Sequence, residues 1–258
     1  MLRQQDMQGK VALVTGSSEG IGLATAKLLT QRGATVAICA RKQDKLDAAK
    51  AELAAVGACE AHRLDVADTD ALAALVGDLA SRHGRFDMLV NNAMSNNYGA
   101  IADIGLEQWR KDFAVNADAA FVGTKAAMKA MAANGGGAIV NVASTNGLLA
   151  APRMASYSAS KAALVHFTSV AAMEGATLGI RVNTVVPGMV MTSATEEYMK
   201  YSGETALRTI DAIPMQRPGQ PDELAEPIVF LLSDAASYIT GIAMPVDGGK
   251  SVQLYLPS

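Results

Sequence analysis

One rhythm constrains this chain more than any other feature. Seven short runs alternate with segments long enough for helices. The runs are KVALVT (10–15), ATVAICA (34–40), CEAHRLD (59–65), FDMLVN (86–91), GAIVNVA (137–143), IRVNTVV (180–186) and IAMPV (242–246). Several are continuously apolar rather than alternating, as expected of strands covered by helices on both faces. The segments between them are rich in Ala, Leu, Lys, Glu and Met, which favour helix. This β-α-β-α order predicts an α/β domain with a doubly wound parallel sheet, its right-handed crossovers placing helices on both faces. Half of the 258 residues are hydrophobic but only 5% are aromatic, so Ala, Val, Leu, Ile and Met must fill the core. No linker or low-complexity tract divides the chain, which reads as one domain over 1–258. NGGGA (134–138) is its loosest point, a turn entering a strand. Pro227 interrupts the helix-like PDELAEPIVFLLS and predicts a kink or a later helix start.

Composition narrows the partners. A formal net charge of -3 gives no electrostatic case for nucleic acid. The two cysteines, Cys39 and Cys59, have neither disulfide-framework nor zinc spacing, and Cys39 in TVAICA reads as a buried thiol. The three histidines, His62, His83 and His166, are scattered, and no metal site is expected. No apolar run approaches a membrane span, and no signal-peptide pattern opens the chain. The expectation is a soluble, cytoplasmic protein with no membrane partner.

The first crossover, KVALVTGSSEGIGLATAKLL, reads as strand, Gly-rich turn, helix. Gly16, Gly20 and Gly22 are spaced G-x-x-x-G-x-G. Glycines let the backbone approach a pyrophosphate, and the helix N-terminus then offers free N–H groups. The second strand ends ICARK. An acid near this point would hold a ribose 2′-hydroxyl. Arg41 and Lys42 stand there instead, and a guanidinium suits a 2′-phosphate. NADP(H) is therefore preferred over NAD(H), although Glu19 in the Gly loop argues against added phosphate charge. Asp65, after the third strand, is placed to cap an adenine pocket. NNAMSNNYG (91–99) follows an apolar strand, where open α/β sheets bind ligands. Between Pro187 and Pro218 there is no strand, only one or two short helices, and about 189–214 reads as a lid.

The richest stretch is IVNVASTNGLLAAPRMASYSASKAALVHF. Tyr157 and Lys161 are four apart and share a helix face. A nearby ammonium favours phenolate and is expected to lower the Tyr157 pKa towards neutrality. Ser144 is placed to hold a substrate oxygen. With TGSSEGIG (15–22), NNA (91–93), Asn116 in VNADAAF, YSASK (157–161) and VPG (186–188), the chain resembles the classical short-chain dehydrogenases/reductases over nearly its whole length. The order and separations match jointly, including thirteen residues from Ser144 to Tyr157.

The resemblance implies a Rossmann-type domain with a seven-stranded sheet, usually a homotetramer or homodimer. It implies Tyr157 as the acid/base, with Lys161 lowering its pKa and holding the nicotinamide ribose. Ser144 would polarise a carbonyl, and Asn116 would support a water in a proton relay. Ser18, Ile21, Arg41, Asp65, Val66, Asn92, Val190 and Thr192 fall where the family touches its cofactor. Asn91, Ala93, Pro187 and Gly188 lie in the same matched motifs. Met94 replaces a glycine common in the family, so the pocket wall must differ there, whereas Ala143 before Ser144 is a harmless departure.

Expected substrate contacts are Met94, Ser95, Asn96, Ser144, Asn146 and Leu149, with Met154, Tyr157, Met189 and Tyr198. Most are apolar or adaptable, and Arg153 is the only cation near the Tyr157 side of these pocket walls. This predicts hydride transfer between NADP(H) and a neutral, moderately hydrophobic alcohol or ketone. Two alternatives stand beside it: an NAD(H)-dependent alcohol dehydrogenase, and a silent nucleotide-binding regulator on the same fold. Reduction of C=C bonds or sugar epimerisation fits the motifs less well.

Overall fold

The computed structural model describes residues 6–253. Its strands are β1 (Val11–Thr15), β2 (Thr35–Ala40), β3 (Cys59–Arg63), β4 (Met88–Asn91), β5 (Gly137–Val142), β6 (Ile180–Pro187) and β7 (Ala243–Val246). They form one seven-stranded parallel sheet in the order β3-β2-β1-β4-β5-β6-β7. Six strands lie within runs expected from the sequence, and β6 extends its run by one residue, to Pro187.

Residue alternation shows why the runs are continuously apolar. Ala12 and Val14 enter one core, while Val11 and Leu13 enter the other. On β2, Val36 and Ile38 face the first core, and Ala37 and Cys39 the second. Helices α1 (Gly20–Gln31), α2 (Gln43–Ala54) and α8 (Pro221–Leu232) contribute to the first core. Helices α3 (Thr69–His83), α5 (Ala119–Ala133) and α6 (Ala155–Ala176) contribute to the second. Edge strands are less covered: β3 is only partly buried, and Pro245 is tolerated in β7 because that strand pairs on one side only.

The winding reverses between β1 and β4. Ligands of open α/β sheets bind outside the carboxyl ends of the strands at such a point. The loops leaving β1 and β4 are the Gly-rich loop and NNAMSNNYG. The short α4 (Leu106–Phe113) follows, then one π turn (Ala114–Asp118) leading into α5. After β6, α7 (Ser193–Asp211) is broken at Gly203, where φ is 43° and ψ -116°. It is thus two helical pieces. Thr192 caps the first, its hydroxyl accepting from the Thr195 N–H. The end of the second is held by the Lys250 ammonium, which donates to the Ala212 carbonyl at 3.0 Å.

Pro227 does not delay α8. Pro221 fixes the first turn, and the Glu223 carboxylate accepts from the Gln220 N–H at 2.8 Å, closing the helix start upstream. Leu224, Ala225, Ile228 and Val229 then pack into the core on both sides of Pro227 and hold the helix through it.

The NGGGA turn is less loose than its composition suggests. Gly135 and Gly136 have φ of 86° and 131°. A Cβ on Gly136 would lie 2.4 Å from the Gly179 carbonyl oxygen, whereas one on Gly135 meets nothing within 4 Å. Gly135→Ala should therefore cost about 1–2 kcal/mol from backbone strain alone. Gly136→Ala should cost about 3–5 kcal/mol, because β5 must also move away from the turn before β6. Urea unfolding midpoints of the two variants check this order.

Candidate active site

The Gly-rich loop leaves β1 with Gly16 and Gly20 at φ of 61° and 59°, in the left-handed region. The loop after β4 lies directly against it. A Cβ on Gly16 would be 2.7 Å from the Ala93 Cα, and one on Gly22 would be 2.5 Å from both Asn92 Nδ2 and the Gly16 carbonyl. Asn92 is the staple between the loops. Its Nδ2 donates to the Thr15 and Gly16 carbonyls, each at 2.9 Å. Thr15 Oγ1 accepts from the N–H groups of Asn92 and Ala93 at 3.0 and 3.1 Å. Ser17 closes the loop from beneath, donating to the Val14 carbonyl and accepting from the Cys39 N–H.

This loop fits a dinucleotide. No side chain caps the N-terminus of α1, so its first N–H groups open onto the loop with a positive dipole end behind them. Thr192 is brought to the same place, its Cγ2 3.1 Å from where a Gly20 Cβ would be. Ser18 is half-exposed on the loop, while Ile21 packs partly into the core. Val66 is buried, and with Thr15, Ala93 and Asn116 lines a narrow cavity behind the strand ends. Gly188 gives its N–H to the Val246 carbonyl, and Val190 bridges Gly219, so the segment after Pro187 is fixed on both sides.

Arg41 and Lys42 are exposed at the end of β2. The Arg41 guanidinium stands 3.9 Å from the Asp65 carboxylate, itself half-exposed. Glu19 does not project freely into the loop as a charge against phosphate. Its carboxylate accepts from Lys45 at 2.6 Å and from the Ser193 hydroxyl at 2.7 Å. Burial pushes its pKa up, but those two bonds outweigh it and leave the group lowered. Asn91 is turned away from the cleft. Its Nδ2 donates to Asn141 Oδ1 at 2.8 Å and to Thr124 on α5, within a buried polar chain that runs on to Thr168 and Thr184.

Tyr157 and Lys161 occupy one face of α6, both buried, with the ammonium 5.8 Å from the ring centroid. Lys161 Nζ donates to the Val142 carbonyl at 2.8 Å. Burial pushes its pKa down to about 8. Tyr157 does not show the expected depression. Burial raises it, a hydrogen bond with Ser144 pulls the other way, and the Asp112 charge adds to the rise. Desolvation of the phenolate is the dominant effect here.

Ser144, in extended backbone after β5, also accepts from the Asn146 N–H at 3.2 Å. Asn116 lies in the π turn, a local widening often found at functional positions. Its Oδ1 accepts from the Ser95 N–H, and its Nδ2 donates to the Ser95 carbonyl and Ser160 Oγ, at 2.8 to 2.9 Å.

The expected substrate side divides in two. Met94, Leu149 and Tyr198 are exposed at the rim, at 50%, 49% and 40%. Asn96 is exposed beside them, and Met189 ties back to Gly219. Asn146 Nδ2 donates to the Met154 sulfur at 3.0 Å, joining two of the expected wall residues. Ser95 is different: its hydroxyl donates to Asp112 and its peptide is held by Asn116, so its polar groups face inward. Arg153 has a φ of 66° and lays its guanidinium 5.1 Å over the Tyr98 ring, occupied by a cation–π contact. Sequence reasoning missed Thr15, Ser17, Asp112 and Ser160. Thr15 and Ser17 had a signal inside TGSSEGIG and Ser160 inside YSASK, whereas Asp112 had none.

A buried Tyr–Lys pair, a serine just after β5 and a Gly-rich loop at the reversal of the winding are what the fold brings together. The family model described as Enoyl-(Acyl carrier protein) reductase matches residues 16–251. The 3-oxoacyl-(acyl-carrier-protein) reductase FabG of Thermotoga maritima is 37% identical over 94% of this chain and 98% of its own. The cyclopentanol dehydrogenase of Comamonas sp. is 36% identical over 93% and 96%. A protein of Beutenbergia cavernae, provisionally described as an NAD(P) dependent gluconate 5-dehydrogenase and solved with NADP at low occupancy, superposes with a TM-score of 0.92. It is 36% identical, over 97% of this chain and 100% of its own. The chain belongs to the classical short-chain dehydrogenase/reductase family. It is an oxidoreductase of a family that uses NAD(P)(H).

The Lys161 pKa carries a stability consequence. Between about 8 and the ordinary lysine value the unfolded chain binds more protons than the folded one, so stability rises with pH across that window. Lys161→Met should raise the melting temperature of the cofactor-free protein at pH 7, by about 2–4 °C for each kcal/mol of relieved desolvation. It should also flatten the pH dependence above pH 8. Calorimetry of both proteins between pH 7 and 10 checks both.

Proposed function

We propose that this enzyme is an NADP(H)-dependent alcohol dehydrogenase or ketone reductase acting on a neutral, moderately hydrophobic substrate. One observation carries the reading: Tyr157 and Lys161 are both buried on one face of α6, with the ammonium 5.8 Å from the phenol ring centroid, and Ser144 acts on Tyr157 to lower its pKa. When bound, a nicotinamide exchanges a hydride with the carbinol carbon. The chain's own part is to hold the oxygen and move the proton. Ser144 holds the substrate oxygen by hydrogen bond, and Tyr157 gives it a proton as the phenol in reduction or takes one as the phenolate in oxidation. Lys161 supplies positive charge that favours the phenolate as it forms. Asn116 fixes the loop above, through Ser95.

The dinucleotide is held along Gly16, Ser18, Gly20, Ile21 and Gly22, then by Asp65 and Val66, and past Asn92, Ala93, Gly188, Val190 and Thr192. The exposed Arg41 and Lys42 take the 2′-phosphate, and Glu19 no longer opposes this, since Lys45 neutralises it. The rim of Met94, Leu149 and Tyr198 supports an apolar substrate. So does Arg153, whose charge is stacked on Tyr98. We read 189–214 as a lid over one domain. An exposed apolar strip of Phe121, Val170 and Met173 on α5 and α6 supports a homodimer or homotetramer. Among the described residues no helix is long and apolar enough to cross a membrane, which suits a cytoplasmic enzyme.

A second reading, reduction of an acyl-carrier thioester, is favoured by the FabG relative and by the family description. Steady-state assays with NADPH and NADH over cyclic ketones, a 3-oxoacyl thioester and an enoyl thioester separate the two. Cyclic ketones with NADPH should give the highest kcat/KM. A thioester ahead of them would replace the proposed substrate class, and no turnover of any would favour a regulatory role. Tyr157→Phe should lower kcat at least about 100-fold. Arg41→Ala should weaken NADPH binding about tenfold with NADH binding unchanged, as titration of cofactor fluorescence reads directly.

A further inference from the structure

Asp112 is the one buried residue of α4, and it is fully buried. Nothing in LEQWRKDF marks it. No cation among the described residues pairs with its carboxylate. Four neutral donors hold it instead. Oδ1 accepts from Ser95 Oγ at 2.8 Å and from Asn97 Nδ2 at 2.7 Å. Oδ2 accepts from the Asn97 N–H at 3.1 Å and from Ser156 Oγ at 2.6 Å. An ionised carboxylate, an acceptor only, suits four donors at two oxygens, whereas an amide offers one acceptor oxygen. Burying such a charge without a counter-ion is unfavourable unless its hydrogen bonds are complete, as they are here.

The donors come from two places that matter. Ser95 and Asn97 lie in the loop after β4, beside Met94. Ser156 is the residue before Tyr157. One turn further on, Asn116 grips the Ser95 peptide from the same helical run. We propose that Asp112 is a positioning residue that ties the substrate-facing loop 94–99 to the first turn of the helix carrying Tyr157, and so sets the spacing between the Met94 wall and the Tyr157 hydroxyl. It deepens the ketone-reductase reading and rests on it.

The charge also has a sign at the site. The charged groups bearing on Tyr157 are Asp112 from α4 and Lys161 from its own helix, and Ser144, in the segment after β5, opposes the rise in its pKa. Asp112 disfavours the phenolate and pushes the Tyr157 pKa up. Removing the charge should therefore let Tyr157 act as a base at lower pH.

The test uses the full-length enzyme and three readouts. Asp112→Asn should raise ketone KM about tenfold, as expected for a lost charge-assisted bond, with the NADPH dissociation constant changed less than twofold. It should move the rising limb of the alcohol-oxidation pH profile to lower pH. Amide hydrogen exchange at Ser95 and Asn97 should speed up at least about tenfold in the cofactor-free protein. Ser156→Ala keeps the charge, so it should speed exchange in the loop while leaving the pH limb in place. An Asp112→Asn enzyme with unchanged KM and unchanged exchange overturns the proposal. So does equal loss of NADPH and ketone binding. If Asp112→Asn does not fold, Asn97→Ala, Ser156→Ala and their double variant decide. Coupled effects on loop exchange support the tie, and additive ones sink it. Should no alcohol or ketone react even with the wild-type enzyme, the ketone-reductase reading fails, and loop exchange still decides the role of Asp112.

Discussion

Everything in the site depends on one close contact between two backbones. Gly16 and Ala93 meet where the sheet reverses its winding, near enough that a Cβ on Gly16 would overlap the Ala93 Cα. Thr15 and Asn92 then exchange hydrogen bonds across that contact with no cation or water required. The Gly loop is thereby indexed to the loop that bears Met94. Under the proposed function, the dinucleotide side and the substrate side share one rigid reference, set by strand ends rather than by flexible side chains.

Around that reference the protein tolerates two isolated buried charges of opposite sign. Lys161 has a single backbone carbonyl for company, and Asp112 has four neutral donors. Each is unfavourable to folding taken alone, and each bears on Tyr157. Local stability is here traded for a phenol whose protonation is governed by a few fixed groups in a buried site. Such places are where perturbed ionisation and function coincide.

The sheet was legible because burial on both faces leaves a mark in one dimension: continuous apolar runs such as KVALVT and ATVAICA. The Gly loop was legible because only glycine meets its steric demands. Other features left no such mark. Asp112 sits in LEQWRKDF among exposed charged residues, and its depth follows from the loop folding over it. The shift of Tyr157 could not be read from a four-residue spacing, since spacing gives the neighbour and burial gives the sign. Asn91 shares a motif with Asn92 but points to the other face, because successive strand residues alternate. Glu19 looked like an obstacle until Lys45 and Ser193, 26 and 174 residues away, were seen beside it. Pro227 looked like a helix breaker until the upstream cap and the core packing on both sides were in view.

The break at Gly203 divides the segment after β6 into two levers with different anchors. The first piece starts at Ser193, which is bonded to Glu19, and at Thr192, which lies against Gly20, so it is tied to the Gly-rich loop. The second ends at Ala212, tied through Lys250 to the segment beyond β7. Between them lies a glycine with no heavy atom within 4 Å of where its Cβ would be. A joint of this kind separates two design problems. The distal lever can lengthen, shorten or change its side chains while the proximal one keeps its bonds to the Gly-rich loop unchanged.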